Sequence, residues 1–356
     1  MKSFASEELS KPRPRDLNME LLRIVSMFFV IATHSNFSAI GEPTQADTLV
    51  APIGSSIRFF LEAALIVCAD VFVLISGWYG MRFRLERFAA FLFQLFFFAL
   101  SGFLVAALLM PETALTRNGV GSVFLLSVSD YWFAKIYLLL YLAAPLLNFL
   151  IERTSPRLLR RLLWMSFGVI MVYGWLYPDS GFHLSGTSPL FFMWLYVLGR
   201  HLRLHCSPLC RFSARVYFFI YVASSLVVSV IEWLGTRGSL HTASCYDLNS
   251  PLFILSAVAL LLFFSRLSVS GRWISWVASS CFAVYLLHVH RLLFEPIFLA
   301  QVRDWWERQP VAVFLAFTVV WMLIFFFAAI LLDKIRIWIW SKLKLFVFTE
   351  RDTMVK

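Results

Sequence analysis

Charged side chains are scarce in this chain, making up only 15% of its 356 residues, whereas hydrophobic residues make up 60%. Soluble domains carry roughly a quarter charged residues, so this chain has too little polar surface to cover its apolar mass. Several apolar runs also exceed ~18 residues, the length that a helix needs to cross a bilayer. The composition excludes a soluble protein and predicts a polytopic membrane protein.

Cysteine is scarce too, and its distribution argues against a framework of disulfides. The five cysteines are scattered and odd in number, and some lie within apolar runs. Cys206 and Cys210 lie near His201 and His205, but their spacing matches no zinc site. We therefore predict neither structural disulfides nor a bound metal.

The sequence also lacks a cleavable signal peptide, internal repeats and a phosphate-binding loop. Residues 1–16 are polar and basic, but no small-x-small cleavage site follows, and the first apolar run is longer than a signal-peptide core. No internal repeat, low-complexity tract or Gly-rich phosphate loop is present. We expect one transmembrane domain over 18–332, between a cytoplasmic N-terminal tail (1–17) and a basic cytoplasmic C-terminal tail (333–356).

The hydropathy pattern predicts an all-α integral membrane protein with about ten spans and both termini in the cytoplasm. The predicted spans are 18–39, 56–78, 87–110, 131–151, 162–178, 188–204, 214–234, 251–267, 273–290 and 311–332. Most of the 31 basic residues then lie at cytoplasmic ends of spans. Because basic loops are translocated poorly, this bias supports the orientation. The net charge of +10 thus reports topology and not a nucleic-acid partner.

The first span carries two ionisable side chains, Arg23 and His34. Their spacing is about three helical turns, so both project from one face, roughly 16 Å apart along the axis. Met27 and Val30 continue this stripe, and Glu20 lies one turn before Arg23, within reach of an ion pair. Ionisable residues in spans usually face the protein interior or a wet cavity. Two simpler interpretations stay open: Arg23 reaches the cytoplasmic headgroups, and His34 bonds to a backbone carbonyl.

The second span contains Asp70 and leads into a basic connector. Asp70 lies well inside apolar sequence and therefore needs a partner or a cavity. Arg82, Arg84 and Arg87 follow on the predicted cytoplasmic side. Guanidinium groups suit phosphate oxygens well, although ordinary positive-inside topology also accounts for these three arginines.

Five segments of the chain, in family order, resemble the acyltransferase-3 family. The matching residues are Glu20, Arg23 and His34 (R-x10-H), Asp70, Phe72, Ser76 and Gly77 (D-x-F-x-x-x-S-G), Arg82 and Arg84 (R-x-R), Trp132, Phe133, Tyr137, Tyr141 and Pro145 (WF…Y…P), and Ser279 or Ser280, Tyr285, Leu286 and His288 (S-x-x-x-Y-L-x-H). Glu20 stands where Asp is common in the family, which preserves the charge.

The resemblance implies a multi-pass enzyme of the bacterial cytoplasmic (inner) membrane. Members generally have ten core helices and pass an acyl group, usually acetyl, from cytoplasmic acyl-CoA to a hydroxyl of a surface glycan. Acyl-CoA is then a donor substrate, no permanently bound cofactor is expected, and the expected partners are the glycan and membrane lipid. The expected site residues are His34, Arg23 and Asp70 for catalysis, Arg82, Arg84 and Arg87 for the donor, and Trp132, Tyr137, Tyr285 and His288 for substrate.

Physical chemistry fits this expectation and leaves its mechanism open. O-acylation needs the acceptor hydroxyl deprotonated as it attacks, and an imidazole, which titrates near neutral pH, suits that role. His34 is either a general base or a covalent acyl carrier, and Asp70 would orient its ring. The alternative is a secondary transporter or lipid-linked sugar flippase that uses Arg23, His34 and Asp70 as a relay. A transporter would be favoured by two-fold internal repetition or matched broken helices, and the sequence has neither.

Overall fold

The chain folds into a bundle of helices. The computed structural model describes residues 16–124, 131–176, 186–205, 211–238 and 245–354, with side chains to residue 344. Within these ranges every regular element is helical and no strand occurs. The all-α prediction is therefore confirmed, whereas Cys206, Cys210 and most of the predicted N-terminal tail lie outside the described residues.

Sixteen α-helices are used as labels below. They are α1 (Leu17–Thr33), which continues as a π-helical turn (His34–Ser38), α2 (Gln45–Val50), α3 (Pro52–Leu65), α4 (Cys68–Tyr79), α5 (Leu85–Leu109), α6 (Pro111–Ala114), α7 (Arg117–Gly121), α8 (Trp132–Arg153), α9 (Pro156–Ile170) with a π-helical turn (Met171–Leu176), α10 (Pro189–His205), α11 (Ala214–Thr236), α12 (Pro251–Ser265), α13 (Arg272–Ala278), α14 (Cys281–His288), a π-helical turn (Phe294–Leu299) leading into α15 (Ala300–Arg308), and α16 (Val311–Met354).

Six helical stretches in the described part of the chain are long and apolar enough to cross a membrane. They are Leu17–Ser38, Pro52–Tyr79, Leu85–Leu109, Trp132–Arg153, Ala214–Thr236 and Val311–Lys344. A seventh span results if the pair Arg272–His288 and Arg291–Arg308, bent by 57°, is counted as one. The chain is a multi-pass membrane protein, while the count of ten spans and the orientation of the termini stay predictions.

Helix α4 runs through the centre of the bundle, and small residues let its neighbour approach closely. A Cβ atom on Gly77 of α4 would lie 2.1 Å from the backbone oxygen of Tyr196 in α10. In return, a Cβ atom on Gly199 would lie 2.4 Å from the backbone oxygen of Leu74. Glycine at both positions therefore permits backbone-to-backbone packing, as is common between membrane helices.

The C-terminal region differs from a simple tail. Helix α16 continues without a break from the last predicted span through the predicted tail as far as Met354. Its extension carries a buried ion pair, in which Arg336 Nε lies 2.7 Å from Asp333 Oδ1. Gln94 of α5 donates a hydrogen bond from Nε2 to the same oxygen at 2.9 Å. This hydrogen bond, between two buried side chains, joins α5 to the extension of α16.

A predicted outside loop is also helical. Residues between Phe294 and Arg308 form a π-helical turn followed by α15. The apolar side of this segment is buried, with Phe298 and Leu299 in the core, while Asp304 and Arg308 form an exposed ion pair at 2.9 Å. Its amphipathic pattern, missed in the sequence, explains why it folds back onto the bundle.

Candidate active site

His34 stands where the first helix changes its winding. Regular α-helix ends at Thr33, and His34 opens a five-residue π-helical turn that runs to Ser38. Single π-helical turns within helices are frequent at functional sites. Here the widened turn brings His34 to the inner face of the bundle and buries Asn36 beside it.

A second histidine holds the ring of His34. Nδ1 of His34 lies 2.9 Å from Nε2 of His288 at the end of α14. On the other side of that second ring, Nδ1 of His288 lies 2.6 Å from the backbone oxygen of Val284. A carbonyl oxygen accepts only, so Nδ1 of His288 carries the proton and Nε2 of the neutral ring is an acceptor.

This chain of hydrogen bonds determines which nitrogen of His34 is basic. Because Nε2 of His288 accepts, Nδ1 of His34 must donate to it. Neutral His34 then has its free lone pair on Nε2. The partner of an imidazole commonly sets its tautomer in this way. His34 is therefore oriented as a base whose lone pair lies on the ring nitrogen away from His288.

His34 lines a cavity of about 280 Å³. Met27, Val30, Thr33 and His34 of the first span contribute to its wall. Met27, Val30 and His34 belong to the stripe predicted from the sequence, whereas Arg23, the fourth member of that stripe, does not line the cavity. The other lining residues come from several later segments of the chain and include Glu62, Ile66, Cys68, Ala69, Phe72, Trp132, Phe133, Thr187, Tyr246, Leu248, Phe282 and Tyr285. Along the first span, the cavity begins at Met27, one turn after Arg23, and extends past His34.

Sequence reasoning missed Glu62, a carboxylate in the wall of this cavity. Its side chain is only 4% exposed, and Oε2 accepts a hydrogen bond from Asn36 Nδ2 at 3.0 Å. Oδ1 of Asn36 in turn accepts from Arg58 Nε at 3.1 Å. The signal was present in the sequence, since Glu62 lies inside an apolar span just as Asp70 does.

Asp70 does not orient His34. Both of its carboxylate oxygens are buried without a hydrogen-bond partner among the described residues, and Asp70 is not part of the cavity wall. The orienting contact expected from Asp70 is made by His288 instead. The physical reason is position, because the residues of α4 that line the cavity are Cys68, Ala69 and Phe72, while Asp70 packs into the core.

The four residues expected at the substrate divide into two groups. Trp132 and Tyr285 line the cavity. Tyr137 lies behind its wall, where it stacks on Phe133 and its hydroxyl lies 2.9 Å from that of Ser76. His288 is fully buried and contacts the ring of His34, but it does not line the cavity.

Arg23 lies at the far end of the α1 stripe, outside the cavity wall. Its guanidinium is 5.7 Å from the centre of the Tyr79 ring, in a cation–π contact. The Tyr79 hydroxyl donates to Asp16 Oδ2 at 3.1 Å. One turn earlier on α1, the carboxylate of Glu20 accepts a hydrogen bond from Ser275 of α13. Arg23 is thus held at the end of α4, next to the basic connector.

The three connector arginines have exposed side chains on an anchored backbone. The hydroxyl of Tyr141 accepts from the backbone N–H of Arg84 and donates to the backbone oxygen of Arg82, each at 3.3 Å. Asn148 Nδ2 donates to the backbone oxygen of Met81 at 2.7 Å. Arg82 and Arg84 are therefore presented to solvent from an anchored loop, and Arg87 follows with an exposed side chain in the first turn of α5.

Comparison with known proteins identifies the family of this chain. The family model of an acyltransferase domain, acyltransferase-3, matches residues 16–343, nearly the whole chain. The chain belongs to the acyltransferase-3 family. No match was found among curated proteins or among solved structures.

Membership of this family establishes the general activity of the protein. The protein is a membrane enzyme that transfers acyl groups, so the transporter or flippase interpretation is set aside. Residues 16–343 include both histidines of the pair, the cavity and the arginine connector.

Proposed function

We propose that this acyltransferase transfers acetyl from cytoplasmic acetyl-CoA to a hydroxyl of a cell-surface or periplasmic glycan, with His34 as the general base. The observation that carries the proposal is the hydrogen-bond chain from Val284 through His288 to His34. It supports a neutral imidazole with its lone pair on Nε2, which is the form that a general base needs.

The donor is proposed to enter from the side of the arginine connector. CoA carries several phosphate charges, and guanidinium groups bind phosphate oxygens well. The side chains of Arg82, Arg84 and Arg87 are exposed there, and Arg23 lies between them and the cavity, against Tyr79. From this position the thioester arm would pass Arg23 and follow the α1 stripe towards His34.

The acceptor is proposed to occupy the part of the cavity beyond His34. Trp132 and Tyr285 offer aromatic surface to a sugar ring, and Glu62 offers carboxylate oxygens to its hydroxyl groups. The cavity wall runs along α1 from Met27 to His34 and continues to Glu62. Donor carbonyl and acceptor hydroxyl would therefore meet at one imidazole, which favours direct transfer over a covalent acyl-histidine.

The proposed step balances at His34. Nε2 takes the proton of the acceptor hydroxyl while the hydroxyl oxygen forms a C–O bond to the thioester carbonyl carbon. The C–S bond then breaks with its electron pair on sulfur, and the CoA thiolate receives the proton from His34 Nε2. The products are an ester on the glycan and free CoA thiol, and His34 returns to its starting form. General base catalysis of this kind contributes typically ~10²–10⁴-fold.

Transfer of labelled acetyl from acetyl-CoA to surface glycan tests the proposal. We expect His34→Ala to lose transfer at normal expression, and His205→Ala, a histidine at the end of α10 outside the cavity, to retain it. Unchanged transfer by His34→Ala would contradict the assignment. Mass spectrometry of protein incubated with acetyl-CoA alone should find no acetyl on His34, and a stable acetyl-histidine would overturn the direct mechanism.

A further inference from the structure

Three arginines from two other helices meet at the last turn of α4. The guanidinium of Arg203 in α10 lies over the ring of Trp78, with Cζ 5.0 Å from the ring centre. The guanidinium of Arg23 in α1 lies over the ring of Tyr79 at 5.7 Å. Nη1 of Arg200 lies 3.4 and 3.3 Å from the backbone oxygens of Trp78 and Tyr79. Arg23, Arg200 and Arg203 are called the α4-end cluster below.

The direction of these side chains distinguishes the α4-end cluster from ordinary topology signals. Arginines that only mark the cytoplasmic side of a membrane extend towards headgroups and water. Here all three contact ring faces or backbone carbonyls of α4, and Arg23 and Arg200 are half-buried. Gathering like charges at one place raises the local potential and attracts a ligand of the opposite sign.

The α4-end cluster keeps its positive charge and many of its hydrogen-bond donors. Its acidic neighbour is Asp16, whose Oδ2 accepts from the Tyr79 hydroxyl at 3.1 Å. The same oxygen lies 3.9 Å from Nη2 of Arg203, which is too long for a hydrogen bond. In the described chain, the guanidinium of Arg23 donates no hydrogen bond to another residue. Each guanidinium carries five N–H donors, so donors remain for an anion.

Arg200 removes an obstacle to an anion at this place. The last carbonyl groups of a helix carry partial negative charge and would repel a phosphate. Nη1 of Arg200 lies against two of these carbonyl groups. Gly80 ends α4 at a φ of +71°, and an added Cβ there would lie 3.0 Å from Cζ of Arg200. Glycine at this position therefore leaves the space in which a cation covers the end of α4.

The α4-end cluster lies between the arginine connector and the catalytic cavity. Arg82 follows Gly80 by two residues, and the cavity begins at Met27, one turn after Arg23. The order of the groups in CoA matches this order of sites. Its pantetheine arm is attached to the 5′-diphosphate, whereas the 3′-phosphate is carried by the ribose, further from the thioester. A thioester in the cavity therefore places the diphosphate nearer to the cavity than the 3′-phosphate.

We propose that Arg23, Arg200 and Arg203 bind the 5′-diphosphate of the donor, while Arg82 and Arg84 bind its 3′-phosphate. Guanidinium groups hold phosphate oxygens through two parallel hydrogen bonds, and the two sites together match the phosphate groups of CoA. This inference rests on the proposed function, since it divides the phosphates of the proposed donor between two sites. A lipid headgroup also carries a phosphate ester, and the experiment separates these two sources.

Titration of the purified full-length protein with CoA, in nanodiscs of phosphatidylcholine, measures donor binding without acyl transfer. Arg203→Gln should weaken CoA binding at least about fivefold at low salt, because a charge-assisted contact to phosphate is lost. Arg215→Gln is the matched control, since Arg215 is an exposed arginine in the first turn of α11, on the same predicted side. It removes the same charge and should leave CoA affinity within about twofold of wild type.

Dephospho-CoA, which lacks the 3′-phosphate, assigns the phosphate groups to the two sites. Wild type should bind it at least about fivefold more weakly than CoA. Arg203→Gln should weaken both ligands by the same factor, so that this difference stays. Arg82→Ala together with Arg84→Ala should bring the difference below about twofold, because the 3′-phosphate has then lost its partners.

Two results would overturn the inference. One is equal CoA affinity of Arg203→Gln and Arg215→Gln, which is the result expected if the α4-end cluster holds a lipid headgroup instead. The other is loss of the difference between CoA and dephospho-CoA in Arg203→Gln. Thermal unfolding checks each variant, and Arg203→Lys, which keeps the charge but loses the fork, replaces Arg203→Gln if that variant does not fold. Wild-type protein that binds no CoA contradicts the proposed function as well, whereas CoA binding that is indifferent to Arg203 contradicts only this inference.

Discussion

The pair His34–His288 makes a sharp prediction, because one histidine would act only through the other. His288 is fully buried and does not line the cavity, yet its Nε2 is the hydrogen-bond partner of His34 Nδ1 at 2.9 Å. Replacing it by leucine removes that acceptor, and replacing it by glutamine offers an amide oxygen in a similar place. Neither change touches Nε2 of His34, the nitrogen that we propose takes the proton.

The expected loss of activity follows from the role of the hydrogen bond between His288 and His34. A typical hydrogen bond contributes ~0.5–1.5 kcal/mol net, and the groups that orient metal-binding histidines commonly matter ~10–100-fold, a scale that we apply to the orientation of His34. We therefore expect His288→Leu to lower kcat by about 10–100-fold, and His288→Gln to recover a good part of that loss. KM for acetyl-CoA should stay within about twofold, because no cavity contact is lost; a factor of two is only ~0.4 kcal/mol.

The assay is initial rate of acetyl transfer by purified variants, with thermal unfolding as the control for folding. In the double variant with His34→Ala, the further change His288→Leu should add almost nothing, because groups that act as a unit are not additive. Equal losses in His288→Leu and His288→Gln at equal stability would refute the acceptor role. Additive losses in the double variant would show that His288 acts independently of His34.

Four further outcomes are expected. Arg82→Ala together with Arg84→Ala should raise KM for acetyl-CoA at least about fivefold at low salt, with less difference at high salt; a KM unchanged at both salt concentrations contradicts the donor site. Glu62→Gln should raise KM for the acceptor more than KM for acetyl-CoA, and equal effects on both would argue for a structural role. Gly77→Ala should cost ~1–3 kcal/mol by forcing α4 from α10, measured as thermal unfolding beside Gly168→Ala, where an added Cβ meets no atom within 4 Å. A membrane-impermeant label on residues 40–55 should react in intact spheroplasts if that segment lies outside, and reaction only after lysis contradicts the orientation.

Most of the helices could be predicted from the sequence, because the length of an apolar run is a local property of the chain. Apolar runs longer than a bilayer is thick predict helices that cross it, and helices occupy most of each predicted span in the described part of the chain. Hydropathy places the amphipathic stretch 291–308 in a loop, because charges interrupt its apolar positions. Only packing against the bundle selects the helix. Helix α16 likewise continues into the predicted tail, where the buried pair Asp333 and Arg336 meets Gln94.

The candidate site was predictable in part for the same reason. Helical periodicity alone places Met27, Val30 and His34 on one stripe, and all three line the cavity. Glu62 was within reach of the rule that already selected Asp70. No local rule, however, distinguishes which of two carboxylates in one span faces a cavity.

The sequence by itself determined the membrane class, the family and the stripe of the first helix, since each depends on composition or on spacing within one segment. Only the tertiary structure decided the partner of His34, because His288 lies 254 positions further along the chain and its contact depends on how α1 and α14 pack. The same packing left Asp70 in the core and brought Glu62 to the cavity. Contacts between distant segments are set by the shape of the whole bundle, which a pattern in one helix does not contain.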